Sequence, residues 1–164
     1  MVDLALLFTE RGDFDLVIEN DDLLGDEGLM TAVTVSLFTD RVARTDDPLP
    51  EYLPGHFSDR RGWWGDLIRE NGRSRPIGSR LWLLFREKEL AETVRRADDY
   101  TQECLAWLPL QGGAFEAQAF DDRPGRLRVE IEAKGPGQAQ RSWRWTAFVD
   151  YSGPVRVELL GARY

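Results

Sequence analysis

The feature that most constrains this chain is a change of period after Gly112-Gly113. Apolar residues then fall at every second position: Phe115, Ala117 and Ala119, next Leu127, Val129, Ile131 and Ala133, and finally Trp143, Trp145, Ala147 and Val149. Alternate residues of a strand point to opposite faces, so these are three strands that each turn one apolar face the same way. Pro124-Gly125 and the run KGPGQ at 134–138 supply the turns of an antiparallel meander. Val155, Val157 and Leu159 repeat the pattern and predict a last, short edge strand.

A sheet with one apolar face needs cover, and the chain upstream provides helices for it. Leu90, Val94, Ala97, Thr101, Cys104, Leu105 and Leu108 form one stripe of a helix over about 88–108. Ser79 caps a short helix through RLWLLFRE, which is apolar nearly all round and therefore central. Asp26 stands before EGLMTAVTVSLFTDRVA, whose Leu29, Val33 and Leu37 recur at helical steps and predict a helix over about 27–42. Its β-branched Thr31, Val33, Thr34 and Val35 make that helix dependent on packing. Leu4–Phe8 and Phe14–Ile18, with Gly12 between them, read as an opening hairpin. The expected fold class is α+β in a single domain, 1–164: an N-terminal β-hairpin, a helix, a long irregular loop, two further helices, then an antiparallel sheet of three to four strands.

Composition excludes more than it identifies. Of 164 residues, one is cysteine (Cys104) and one histidine (His56), which rules out a disulfide framework and the usual zinc constellations. No metal or cofactor is expected. Cys104 reads as a small core residue and His56 as an ordinary loop histidine rather than a general base. The net charge of −8 repels polyanions and argues against nucleic acid, the mildly basic stretch 60–96 being the weak counter-signal. Residues 1–55 hold 13 acids against three arginines, whereas residues 56–164 hold 16 acids against 18 bases. The apolar runs are too short to span a bilayer, and MVDLALLFTERGDFD lacks a basic leader, so no membrane association and cytoplasmic synthesis are expected. Nineteen of the 21 bases are arginine, which suits protein interfaces and follows equally from a GC-rich genome. The acidic run DFDLVIENDD at 13–22 lacks the spacing of a calcium loop and reads as a solvated turn. GxSxG, GxxxxGK[ST], a Rossmann glycine fingerprint and HExxH are missing, so catalysis has no motif to support it beyond the acids themselves.

The segment 44–77 is the long functional loop. A structureless stretch of that length is usually functional or disordered, and Tyr52, Phe57, Trp63 and Trp64 argue against disorder. Within it, DRRGWWGD at 59–66 places two tryptophans between glycines and flanks them with arginines and aspartates. Such a pair can stack a sugar or a base, pack structurally, or face another protein. Arg60 and Arg61, offering forks to carboxylates, favour the last, and Asp66 closes the unit.

Four blocks in order, TAVTVSLFTDRVA (31–43), DDPLP (46–50), DRRGWWGD (59–66) and GSRLWLLFREK (78–88), closely resemble the Mu-like phage tail baseplate protein family, typified by the Mu gene-46 product. The resemblance covers about residues 3–150. This family looks like the Mu-type branch of the small contractile-tail wedge proteins, also called sheath initiators or lysozyme-like baseplate proteins. It implies a structural, non-enzymatic protein of the virion tail baseplate, in a sixfold arrangement. Its implied partners are other wedge and hub proteins, and the sheath and tube. The lysozyme-like label leaves a peptidoglycan-cleaving enzyme as the alternative. The resemblance also implies a helix pair against an antiparallel sheet. Two departures stand out: Leu108-Pro109-Leu110 occupies the place of an acidic-Pro-Arg motif of the broader group, and SGPVRVELLGARY makes a longer C-terminal extension, 151–164. The expected interface residues are Arg60, Arg61, Trp63, Trp64 and Asp66 in the loop, and Val155, Val157 and Leu159 on the edge strand.

Overall fold

The computed structural model describes residues 3–8, 14–26, 29–50, 60–67, 76–84, 90–137, 142–150 and 157–160. His56 and Val155 fall outside them. The fold is α+β, and its centre is the meander that the period-two pattern predicts. Strands β7 (Ala114–Arg123), β8 (Arg126–Lys134), β9 (Trp143–Asp150) and β10 (Val157–Leu160) follow six short strands near the N-terminus and form an antiparallel sheet in the order β10-β9-β8-β7. The last strand is described over Val157–Leu160, and the start expected at Val155 lies outside the described residues. Register on the inner face sets Trp143 opposite Ala133 and Ala147 opposite Val129, with Trp145 opposite Ile131 and Val149 opposite Leu127. Leu127, Val129, Ile131, Trp145, Ala147 and Val149 are all buried there. Across the outer face the Arg126 guanidinium lies 3.9 Å from the Phe148 ring centroid and that of Arg128 5.1 Å from Phe120, covering apolar rings with stacked charge.

Helix α2 (Leu90–Leu105) packs the expected stripe against this sheet, burying Ala97, Thr101, Cys104 and Leu105. The pattern predicted one helix to 108; the chain instead breaks at Ala106 and resumes as the short α3 (Trp107–Leu110), because Pro109 has no N–H to continue the ladder. Cys104 is a core residue, its thiol pushed up to about 12, chiefly by burial. Helix α1 (Met30–Phe38) buries Thr31, Val33, Thr34, Ser36 and Leu37, residues distributed around much of its circumference. Asp26 does serve its start, its carboxylate accepting the Thr31 N–H at 2.8 Å. The helix stops four residues short of the expected end because a competing partner captures the backbone. Thr39 C=O accepts the Ser79 N–H at 2.9 Å, and Arg41 N–H donates to Ser79 C=O at 3.0 Å. Of the helix expected after Ser79 the described residues show a 3-10 turn, Leu81–Leu84, all four buried; the Ser79 hydroxyl oxygen accepts the Leu81 N–H at 3.4 Å and its O–H donates to Leu37 C=O at 2.6 Å.

The N-terminal hairpin forms, and more than a hairpin. Strands β2 (Leu6–Phe8) and β3 (Phe14–Leu16) pair as expected, β4 (Ile18–Glu19) pairs β5 (Asp22–Leu23), and β1 (Asp3–Leu4) pairs β6 (Gly25–Asp26). The three ladders meet where Ala5 N–H donates to Leu24 C=O, Leu24 N–H to Val17 C=O and Val17 N–H to Ala5 C=O.

One buried charge ties the remaining pieces together. Arg80, 6% exposed, donates to both oxygens of Asp47 at 2.8 and 2.9 Å and twice to one oxygen of Glu103 at 2.9 and 2.6 Å. Its guanidinium also stacks 4.4 Å from the Tyr100 ring centroid. Arg44 adds its backbone N–H to Asp47 and its side chain to Glu103. Burial by itself raises the Asp47 and Glu103 carboxyls; the Arg80 hydrogen bonds, reinforced by Arg44 and, at Glu103, by Arg41, outweigh it and hold both below the ordinary carboxylate value.

Folded-state values below the unfolded ones mean that this stabilisation is complete above the ordinary carboxylate range and is lost as pH falls through the depressed values. Urea unfolding midpoints should therefore be flat above about pH 5 and decline below about pH 4. In Arg80→Met the two partly buried carboxylates lose their principal counter-charge, with Arg44 and Arg41 still facing Glu103. That variant should lose about 3–5 kcal/mol at neutral pH and should regain part of it on mild acidification, a reversed slope that simple loss of packing does not produce.

Candidate functional site

The Trp-Trp loop is held from three sides by its own chain. Ala43 N–H donates to Arg60 C=O at 3.0 Å, and the Arg60 guanidinium donates to the carbonyls of Arg44 and Thr45. Arg61 pairs with Asp40 and stacks 4.9 Å from the ring of Trp82, whose indole N–H is fixed on Arg41 C=O at 2.8 Å. The forks that the sequence suggested would meet a partner's carboxylates are thus engaged internally, because residues 39–45 run alongside the loop and present acceptors first.

Backbone geometry explains the glycines. Gly62 has φ +112, and a Cβ there would stand 3.1 Å from Val42 Cβ. A Cβ on Gly65 would fall inside the Trp63 ring. The turn closes with Asp66 N–H donating to Trp63 C=O at 3.0 Å, in the 3-10 turn Trp64–Leu67, and the Asp66 carboxylate accepts the Ile77 N–H at 3.0 Å. Asp66 therefore splices the loop to the segment entering Gly78 and Ser79. At Gly78, φ is +97 and Thr39 C=O occupies the place of a side chain.

This scaffold presents two rings to solvent. Trp63 and Trp64 lie with centroids 5.3 Å apart at an interplanar angle of 44°, and are 40% and 70% exposed. Val42 and Ile77, fastened to the loop by the contacts above, are exposed as well. Periodicity could not have found those two, since neither lies on a regular element and only the tertiary splice brings them to the tryptophans.

The second candidate surface is the sheet edge. The two ends of the sheet are unlike. On β7, Gln102 of α2 donates its amide to Ala117 C=O at 2.8 Å, and Asp98, one turn earlier, accepts the Ala119 N–H at 3.2 Å. Side chains there stand in for a neighbouring strand along the middle of β7. At the other end β10 pairs only with β9 among the described residues, through Val157↔Val149, Glu158↔Phe148, Leu159↔Ala147 and Leu160↔Thr146. Val157 and Leu159 lie on this edge strand. The structure brings Arg60, Arg61, Trp63, Trp64 and Asp66 into one loop, and places Val157 and Leu159 on a separate element.

Among the described residues no cluster of acids, histidine and cysteine has the arrangement of a metal site. A cleft of about 440 Å3 lies beside the Arg80 clamp, lined by Arg44, Asp47, Pro48, Arg80, Glu92, Arg95, Arg96, Asp99, Tyr100 and Glu103. Its carboxylates are paired: Glu92 and Asp99 with Arg95, Asp47 and Glu103 with Arg80.

If Gly65 is the seat of Trp63, then Gly65→Ala should displace that ring, costing about 1–3 kcal/mol as overpacking does. Tryptophan fluorescence should report greater solvent exposure while the far-UV circular dichroism of the sheet is retained. Unchanged fluorescence would show that Trp63 does not rest on Gly65.

Comparisons with known proteins bear on this site. The family model described as "Phage protein GP46" matches residues 29–140, a span containing the described loop residues, the Arg80 clamp and the strands β7 and β8. The chain is 49% identical over 133 residues to the "Baseplate protein gp46" of Escherichia phage Mu, covering 80% of this chain and 86% of that protein. It is 35% identical over 124 residues to the "Mu-like prophage FluMu protein gp46" of Haemophilus influenzae, covering 76% of this chain and 78% of that one. No solved structure matches. The chain belongs to the phage protein GP46 family.

Proposed function

We propose that this protein is a non-enzymatic, structural component of a phage tail baseplate, in a virion or a related prophage or tailocin particle. In that reading it joins wedge to hub in a sixfold contractile-tail baseplate and helps seed the sheath. Its partners are other wedge and hub proteins and the sheath and tube, the isolated chain is a monomeric single domain, and it is made in the bacterial host cytoplasm. The observation that carries the proposal is the Trp63–Trp64 pair, exposed on a loop whose every other described anchor is satisfied internally. Apolar rings exposed to water gain from cover, and a partner surface supplies it. The printed name of the phage Mu relative, a baseplate protein, supports the same assignment.

The peptidoglycan-cleaving alternative requires a carboxylic acid kept protonated by apolar walls. Asp47, Glu92, Glu103 and Glu132 are all held below the ordinary carboxylate value, each hydrogen-bonded by arginine. That is the chemistry of structural ion pairs rather than of a general acid.

The test separates folding from assembly. Trp64→Ala should change stability by no more than about 1 kcal/mol, as expected for an exposed side chain, while particles made with it fail to incorporate the protein. A loss of about 3–5 kcal/mol, the scale of core Trp truncation, would make the loop a structural plug. For the edge, truncation after Gly153 removes β10 and should leave a cooperative unfolding transition while impairing assembly, as a surface for strand addition demands. Loss of that transition would make β10 part of the core.

A further inference from the structure

The acidic N-terminal strands, whose run 13–22 the sequence presents as a solvated turn at the end of the opening hairpin, have a tip that neither proposed interface uses. Strands β4 and β5 form a two-residue ladder closed by Asn20 and Asp21, both in the left-handed region with φ 52 and 61, the geometry of a tight type I′ turn. One pair of this ladder is Ile18 opposite Leu23, and the two side chains are 70% and 46% exposed. The other pair sets Glu19 directly opposite Asp22, like charges facing each other across the strands. Both pairs are unfavourable for the chain standing alone, since one leaves apolar surface in water and the other repels.

The hairpin nevertheless has a fixed root. Leu24 N–H donates to Val17 C=O and Ala5 N–H to Leu24 C=O, each at 2.8 Å, so the tip projects from the three-way junction of the N-terminal ladders. Apolar exposure continues down its flank through Leu16 and Leu24. Residues 14–26 carry Asp15, Glu19, Asp21, Asp22 and Asp26 and no basic residue.

We propose that the 18–23 hairpin is a docking finger for another protein of the particle: Ile18 and Leu23 enter an apolar pocket, and lysines or arginines at the pocket rim meet Glu19 and Asp22. Charge complementarity selects this occupant. The acidic pair projects from the opposite face of the ladder to the apolar pair, so a partner that wraps the tip resolves both conflicts, its pocket covering Ile18 and Leu23 and its basic rim removing the Glu19–Asp22 repulsion. A second copy of the chain is a poorer fit, because the arginines described beside its own exposed tryptophans are already engaged with Asp40 and with backbone carbonyls. The inference rests on the baseplate reading and adds to it a contact of different chemistry from the tryptophan loop.

Two substitutions separate docking from folding. Ile18→Ser removes the apolar anchor. Glu19→Lys turns the like-charge pair into an opposite-charge pair, so the isolated protein should keep or slightly raise its Tm while the charge offered to the partner is reversed. Leu110→Ser, at another exposed apolar position, is the control. Copies per particle, measured by mass spectrometry on particles assembled with each variant, should fall at least about tenfold for Ile18→Ser and Glu19→Lys and stay at the wild-type level for Leu110→Ser. Wild-type incorporation of either hairpin variant overturns the finger, as does self-association of the isolated protein that Ile18→Ser abolishes, which would make a second copy the occupant. Particles that contain wild-type protein, exclude Trp64→Ala and accept both hairpin variants would leave the baseplate reading standing and sink this one alone. Absence of the wild-type protein from particles would sink both.

Discussion

Arg80 is a permanent positive charge that is 6% exposed, and the arrangement around the candidate site follows from the need to compensate it. A buried guanidinium without counter-charges is far costlier than any single packing defect, so Asp47 and Glu103 must be held to it. Asp47 brings in the DDPLP segment, Glu103 belongs to α2, and Arg80 itself leads into the buried turn Leu81–Leu84. Three stretches distant in sequence are thereby fixed to one another by planar, bidentate geometry that a lysine could not reproduce. Tyr100 completes the enclosure by placing its ring against the same guanidinium.

That clamp fixes the platform for the tryptophans. With residues 41–47 anchored, the carbonyls of Arg44 and Thr45 are in place to accept Arg60, Asp40 receives Arg61, and Trp82 forms a floor beneath the Arg61 guanidinium. Polar groups and glycines make the inner surface of the loop, and apolar rings make its outer one. This inverts the usual distribution of a globular surface. A domain optimised only for its own stability has no use for the inversion, whereas an assembly component does.

The sheet carries a comparable asymmetry. Helix α2 not only covers the apolar face but also lends Asp98 and Gln102 to the backbone of β7, so one sheet edge is capped by side chains at its middle and the other ends in a short strand. Edges govern which strands a sheet can acquire.

How much of this was legible in the sequence depended on the range of the interaction responsible. The meander was readable because period two and the Pro-Gly turns are local, and the stripe on α2 was readable because burial repeats along a helix. The tryptophan pair stood out by composition alone, and ordered blocks of residues carried the family. What the sequence could not carry were decisions between competing partners. Helix α1 ends at Phe38 because Ser79, some forty residues away, offers backbone hydrogen bonds that outcompete another helical turn. Arg60 and Arg61 read as partner-seeking forks until the fold places acceptors beside them. Asp98 and Gln102 look like ordinary solvated positions of a helix until β7 lies alongside. A one-dimensional pattern records what each residue offers; the tertiary structure alone decides which offer is taken, because hydrogen bonds and ion pairs are assigned by distance in space.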